Sequence, residues 1–415
     1  MRTNGPLLRG IIFTAGYVVV VQNAGIPVAL KLAFLGLTLV IAAVSCARLI
    51  RGSDRVPWGI GMGVALSVTV LAVGFISLVW TPSTDPQDWL RDALTYIFFP
   101  AAVLIGLEFG LAATRRQVFT LLWVIGAFGA LAFTVTWLQR RGAEGVDIES
   151  FGLASSFVPI PAIALGLGLF CTSVKVRVLA LVGTLVLSGV LVLSGGRTIW
   201  VYLAVGFFVA CSITLLYRGR ALRIGVLLAT AVVSSIGALT LSAGLAGGIA
   251  ANRVQWFSRV VENGWMAFTN DGSAIERVRA QEWAHQLWMA DPVWGRGWGQ
   301  PFQSVSTGVV TGSIFTLDSP LIVLVKVGLV GTILLVAALL MVFGSSVRLA
   351  RTDPQIRASL LIALAMALVL TLNGFPLENR GFPIFVFSLA AQAAVASRQQ
   401  VELSARPHLL GASPA

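Results

Sequence analysis

The sequence predicts an all-α, polytopic integral membrane protein with about twelve transmembrane helices and one long outer loop between spans nine and ten. Three observations lead there. The 415 residues are 57% apolar and only 11% charged, with a mean hydropathy of +0.89, whereas an average soluble domain is about 25% charged. The apolar residues fall in continuous runs of helix-spanning length, unlike the alternating strands of a membrane barrel. The basic residues collect on one side of those runs. Composition alone excludes a water-soluble globular enzyme and a disordered chain.

The first run is Leu7–Gln22; Arg2 and Arg9 stand ahead of its short apolar stretch ending near Val21, which has the outline of a signal peptide. It reads as a retained first helix, because the number of spans is then even and the topology closes. Eight further runs follow: Ile26–Cys46, Trp58–Trp80, Ala93–Leu111, Val118–Leu138, Phe151–Cys171, Val178–Leu193, Ile199–Tyr217 and Leu222–Leu241. After a long connection come Leu317–Phe343, Ile356–Phe375 and Phe382–Ala396. The chain thus divides into spans one to nine (residues 1–243), a large outer loop (244–316), spans ten to twelve (317–397) and a cytoplasmic tail (398–415). No internal repeat stands out, which weighs against transporter folds built from duplicated halves.

Assigning alternate loops to opposite sides tests the orientation, since short basic loops stay in the cytoplasm. One side collects seventeen basic residues and only four acids, Asp54, Glu108, Asp353 and Glu402. The other takes twelve basic residues and thirteen acids, so the balance is +13 against −1. Both termini are therefore expected in the cytoplasm. The net charge of +12 and pI near 10.9, which would otherwise suggest nucleic acid, express orientation instead.

The connection from Ala243 to Thr316 is then outside the cytoplasm, and a loop of 74 residues between spans is uncommon unless functional or disordered. It holds six of the twelve tryptophans, Trp256, Trp265, Trp283, Trp288, Trp294 and Trp298, a composition that argues against disorder. Trp80, Trp89, Trp137 and Trp200 fall at the same boundary, leaving only Trp58 and Trp123 on the inner side. An aromatic belt explains tryptophans at an interface, but a symmetric belt would not produce this asymmetry. Within the loop, Glu276–Ala290 reads as an amphipathic helix, ended by Asp291-Pro292 and followed by the turn-rich segment Trp294–Gly299. Its three glycines are not a dinucleotide fingerprint, because no strand precedes them.

Few residues could carry chemistry. Arg197, in Ser194-Gly195-Gly196-Arg197, sits in a tight outer hairpin before a helix whose first N–H groups favour an anion. The plain alternative is an interfacial arginine reaching the headgroups. Arg277 and Arg279 on the loop helix are either solvated surface residues or bidentate phosphate ligands. Asp318 opens span ten, where it would cap the helix or act as a general base. Lys326 lies two turns into the apolar run and needs a polar partner or a cavity. His285 reads as a helix-surface residue, and Glu378 with Arg380 as an exposed pair. Cys46, Cys171 and Cys211 lack metal-ligand spacing and an evident disulfide partner.

These residues resemble the bacterial O-antigen ligase and Wzy-type polysaccharide polymerase superfamily. The resemblance is diffuse over the twelve-span plan and more specific over 191–335. There the serine/glycine-arginine hairpin (Ser194 to Arg197) precedes a long outer loop with Arg279-x-x-x-Trp283 and Pro292-x-x-Gly295-x-Gly297. A span with Val327-Gly328-Leu329-Val330-Gly331 follows. Such proteins transfer glycan from an undecaprenyl-diphosphate carrier to a sugar hydroxyl at the outer face of the inner membrane, without nucleotide sugar, cofactor or essential metal.

The resemblance implies that Arg197 and Arg279 contact the diphosphate, with Arg277 and Arg296 as further candidates. Asp318 would then serve as base. Family ligases carry His-Asn where this chain has Asp318-Ser319, a departure that favours polymerisation of surface or exopolysaccharide repeats over ligation. The implied partners are the lipid-linked glycan, a glycan acceptor, the bilayer, and chain-length regulator and export proteins. A lipid-linked glycan transporter or flippase is the alternative from a different class.

Overall fold

A computed structural model describes residues 4–21, 26–52, 56–80, 86–139, 156–171, 173–193, 197–216, 221–246, 262, 272–299, 302–306, 309–313, 319–371 and 374–404. Among the described residues the regular structure is helical, apart from one β-hairpin at 302–313. The helices are α1 (Gly5–Gly16, continued by a π-helical turn Tyr17–Val21), α2 (Val28–Arg51), α3 (Trp58–Trp80), α4 (Pro86–Ala112), α5 (Arg115–Gln139) and α6 (Ile160–Gly168). They continue with α7 (Val174–Leu193), α8 (Arg197–Leu216), α9 (Ala221–Ala246), α10 (Gly272–Ala290), α11 (Ile322–Leu349), α12 (Pro354–Thr371) and α13 (Phe382–Ser404).

A helix stands at each of the twelve apolar runs, and α10 is the helix expected in the loop, one turn longer than its sequence suggests. The expected amphipathic face is not sustained along it, since Val278 is exposed while Ala284 in its C-terminal half is buried. Among the described residues, eight helices are long and apolar enough to cross a membrane: α2, α3, α4, α5, α7, α8, α11 and α12. The chain is therefore a polytopic helical protein of the membrane-embedded type. The sixth run is a correction. The expected span 151–171 begins on residues 151–155, which lie outside the described residues; over 156–171 the fully buried α6 covers only Ile160–Gly168, with a 3₁₀ turn Leu169–Cys171. Two prolines near its start, Pro159 and Pro161, delay the helix.

The outer loop departs from expectation as well. Residues Phe302–Ser306 (β1) pair antiparallel with Val309–Ser313 (β2). Serine, threonine and glycine between the valines hide the alternation that a half-buried strand would show.

The most extensive packing joins α4 to α13, which together form the centre of the bundle. Gly106 and Gly110, four residues apart on α4, lie against the backbone carbonyls of Phe387 and Ala391, and Ala390 and Ala394 continue the small surface. With no hydrophobic drive between helices in lipid, such small-residue contacts supply the van der Waals energy of association. Around this pair, α11 packs on α3, and α12 on both α6 and α8. Large apolar side chains on α2 and α7, such as Val40, Leu179 and Val186, stay exposed, as a lipid-facing surface requires.

Each end of the bundle has its own polar lock. At one end Glu108 of α4 is held by Arg9 of α1 and accepts from Ser45 Oγ of α2 at 2.7 Å. Asp353 caps α12 there, accepting from the N–H groups of Gln355 and Ile356 at 3.0 Å each, with Pro354 pre-set at the first helical position. The opposite end carries the outer loop.

Candidate functional site

The loop end is built around a break in α11. Gly328 adopts φ 64°, ψ −172° within an otherwise helical segment. A continuous helix would bond the N–H groups of Leu329 and Val330 to the carbonyls of Val325 and Lys326. Here the loop takes over both pairs. Arg296 N–H donates to Val325 O at 2.7 Å and Gly297 N–H to Lys326 O at 3.1 Å. Leu329 N–H donates to Pro292 O at 2.9 Å and Val330 N–H to Val293 O at 3.2 Å. Four backbone groups that the break would orphan are thus satisfied by residues 292–297. Gly328 is required because its φ is positive and a Cβ would overlap Val293 O. Gly295, Gly297 and Gly299 also have positive φ, which lets the bracket turn back on itself.

Two residues before the break, Lys326 is fully buried and ion-paired to two carboxylates. Its Nζ donates to Asp92 Oδ1 of α4 and, at 2.7 Å, to Glu378 Oε2 in the turn between α12 and α13. Asp92 Oδ2 accepts from Gly299 N–H at 3.0 Å, and Tyr96, one helical turn beyond Asp92, donates its hydroxyl to Glu378 Oε1. All four carboxylate oxygens and the ammonium are therefore matched to specific partners, the condition under which burying charge is tolerable. The turn is tied further by Tyr17 of α1, whose hydroxyl donates to Arg380 O.

Trp298 is the bracket's anchor. It is 1% exposed and lies 5.5 Å from Trp89 and 5.0 Å from Tyr96, measured between ring centroids. Its six-membered ring fills the space beside Gly74 of α3, while Trp89 Nε1–H donates to Gly74 O at 3.2 Å. On the other side of α11, Ala284, Leu287 and Trp288 of α10 pack on Leu321, Ile322 and Val325, and Trp288 Nε1–H donates to Pro292 O at 3.0 Å. The loop is fastened to the bundle by hydrogen bonds, an ion cluster and a buried indole at once.

The residues singled out by sequence fall unevenly around this frame. Arg279 on α10 and Arg296 in the bracket are both exposed, and among the described residues their guanidinium groups make no hydrogen bond or ion pair. Arg197 begins α8 and Arg277 lies in α10, but the side chains of both lie outside the described residues, as does Asp318 altogether. Span ten begins at Ile322 after a turn, four residues past Asp318. His285 is exposed, with its ring 5.9 Å from that of Trp288. Lys326 has the polar partners its position demands. Glu378 is no simple surface pair with Arg380: it is bound to Lys326 and Tyr96.

Asp92 and Tyr96 were missed. The run expected from Ala93 starts one residue past Asp92, whereas α4 begins at Pro86 and carries the aspartate within the helix. The available signal was Lys326 itself, since a lysine inside a span asks for a carboxylate from another span. Among the described residues no three His, Cys, Asp or Glu side chains come together as a metal site would need. Neither a protein-family model nor a curated protein matches the chain.

Proposed function

We propose that the chain is a membrane glycosyltransferase of the O-antigen ligase and polymerase type. It moves glycan from an undecaprenyl-diphosphate carrier to a sugar hydroxyl, and polymerisation of surface polysaccharide repeats is the favoured form. The proposal includes twelve spans, residence in a bacterial inner membrane and cytoplasmic termini. The observation that carries it is the bracket of residues 292–299, which gives Arg296 a backbone fastened to α11 while its exposed guanidinium has no hydrogen bond or ion pair among the described residues. Arg279, on the helix leading into the bracket, is likewise exposed and without such a partner among the described residues.

Guanidinium groups suit a diphosphate, whose negative charge grows as the carrier leaves. A fixed donor is worth more than a mobile one at that step, because its orientation is settled before the reaction. Arg197, at the N-terminus of α8, belongs to the same proposed set together with Arg277.

The test is reconstitution of the purified protein in proteoliposomes with a lipid-linked oligosaccharide. Longer lipid-linked glycan supports a polymerase, and glycan moved to a different acceptor supports a ligase. Transfer of intact lipid-linked oligosaccharide between leaflets, without a new glycosidic bond, assigns the chain to the flippases instead.

A further inference from the structure

We infer that Glu378 is the carboxylate that receives the acceptor sugar's hydroxyl proton, in place of Asp318. The inference rests on the glycosyl-transfer reading above. A base for this step has to be reachable by a hydroxyl and held in one orientation. Glu378 meets both conditions. Its side chain is 19% exposed, while Asp92, the other carboxylate on Lys326, is 1% exposed and also occupied by Gly299 N–H. Lys326 Nζ on Oε2 and the Tyr96 hydroxyl on Oε1 fix its rotamer from two sides. A carboxylate has about four acceptor positions, so two bonds leave room for an incoming hydroxyl.

The charge balance favours the same residue. Asp92, Glu378 and Lys326 together carry one negative charge in excess, and Asp92 with Lys326 alone carries none. A proton delivered to Glu378 therefore leaves a neutral buried pair behind, with no stranded charge. In the step itself the acceptor oxygen bonds to the anomeric carbon of the lipid-linked sugar, and its proton passes to a Glu378 oxygen. The bond from the anomeric carbon to the diphosphate oxygen breaks, and its electron pair leaves with undecaprenyl diphosphate. Lys326 and Tyr96 act as positioning residues for this carboxylate.

The experiment uses the full chain in proteoliposomes with a lipid-linked oligosaccharide donor, comparing wild type, E378Q and E378D. Glutamine still accepts from Lys326 through its amide oxygen and can turn its NH2 toward the Tyr96 oxygen, but it cannot take the proton. E378Q is expected to lose about 100-fold or more in kcat, with donor KM within about twofold and the acidic limb of the pH–rate profile abolished. E378D is expected to keep that limb at a kcat reduced about tenfold or more, because the base is drawn back by one methylene. An E378Q protein with wild-type kcat and an unchanged pH profile overturns the assignment while leaving glycosyl transfer standing. Should E378Q not fold, a folded E378D with wild-type kcat overturns it equally. No product from wild type overturns the transfer reading and this assignment together.

Discussion

Lys326 Nζ lies 2.7 Å from Glu378 Oε2, joining the broken helix α11 to the turn between α12 and α13. The same ammonium reaches Asp92 on α4, and Asp92 in turn holds Gly299 of the bracket. One buried cation thus ties three helical elements and the outer loop together.

Removing that cation leaves two carboxylates without a counter-charge. Breaking a buried pair in this way costs about 3–5 kcal/mol, so K326M is expected to lower stability by that order in detergent micelles. Unfolding monitored by circular dichroism measures it. The triple variant K326M/D92N/E378Q, with the charges removed together, is expected to recover most of the loss.

Gly328 carries a different load. In G328A, a non-glycine residue at φ 64°, ψ −172° is strained by roughly 1–3 kcal/mol, and its Cβ overlaps Val293 O. The bracket is expected to detach locally while the bundle stays folded. Amide hydrogen exchange should then quicken at Arg296, Gly297, Leu329 and Val330, with no change at the Glu108 cluster. Sixteen residues of α4 separate Asp92 from Glu108, about 24 Å along the helix.

Trp298 tests the anchor. Truncating a buried tryptophan costs about 3–5 kcal/mol, and W298A is expected to fall in that range because the indole sits among Trp89, Tyr96 and Gly74. Trp294, exposed in the same segment, makes the control: W294A is expected to stay within about 0.5 kcal/mol of wild type. Thermal unfolding of the two variants side by side gives the comparison.

At the far end, Arg9 and Arg48 both approach Glu108, yet they are not equivalent. Arg9 donates two hydrogen bonds to the carboxylate, whereas Arg48 NH1 stays 3.8 Å away on a side chain that is 48% exposed. R9A is expected to cost about 2–3 kcal/mol as a charge-assisted pair is lost. R48A is expected to cost less than about 1 kcal/mol. Equal losses in the two variants would contradict this division.

The positions of the apolar helices were legible because hydropathy and flanking charge act locally. So were the helical α10, though not its even spread of apolar residues, and the glycine turn after Pro292. The break in α11 was hidden: Val327-Gly328-Leu329 is as apolar as its surroundings, and hydropathy cannot distinguish a glycine that continues a helix from one that interrupts it. The partners of Lys326 lay beyond any local pattern, since Asp92 is 234 residues away in the chain. Glu378 was read beside its sequence neighbour Arg380, and only the fold exchanges that neighbour for Lys326. The hairpin at 302–313 failed for a third reason, a strand pattern diluted by serine, threonine and glycine.

The central claim is that a glycosyl–diphosphate bond is broken at the loop end of this bundle. Its most direct test is the release of undecaprenyl diphosphate from a defined lipid-linked repeat by the purified, reconstituted protein. The account expects one carrier released for each new glycosidic bond, with release depressed about 100-fold or more in R279A or R296A. A lipid-linked repeat that stays intact, with no free carrier formed, would contradict it.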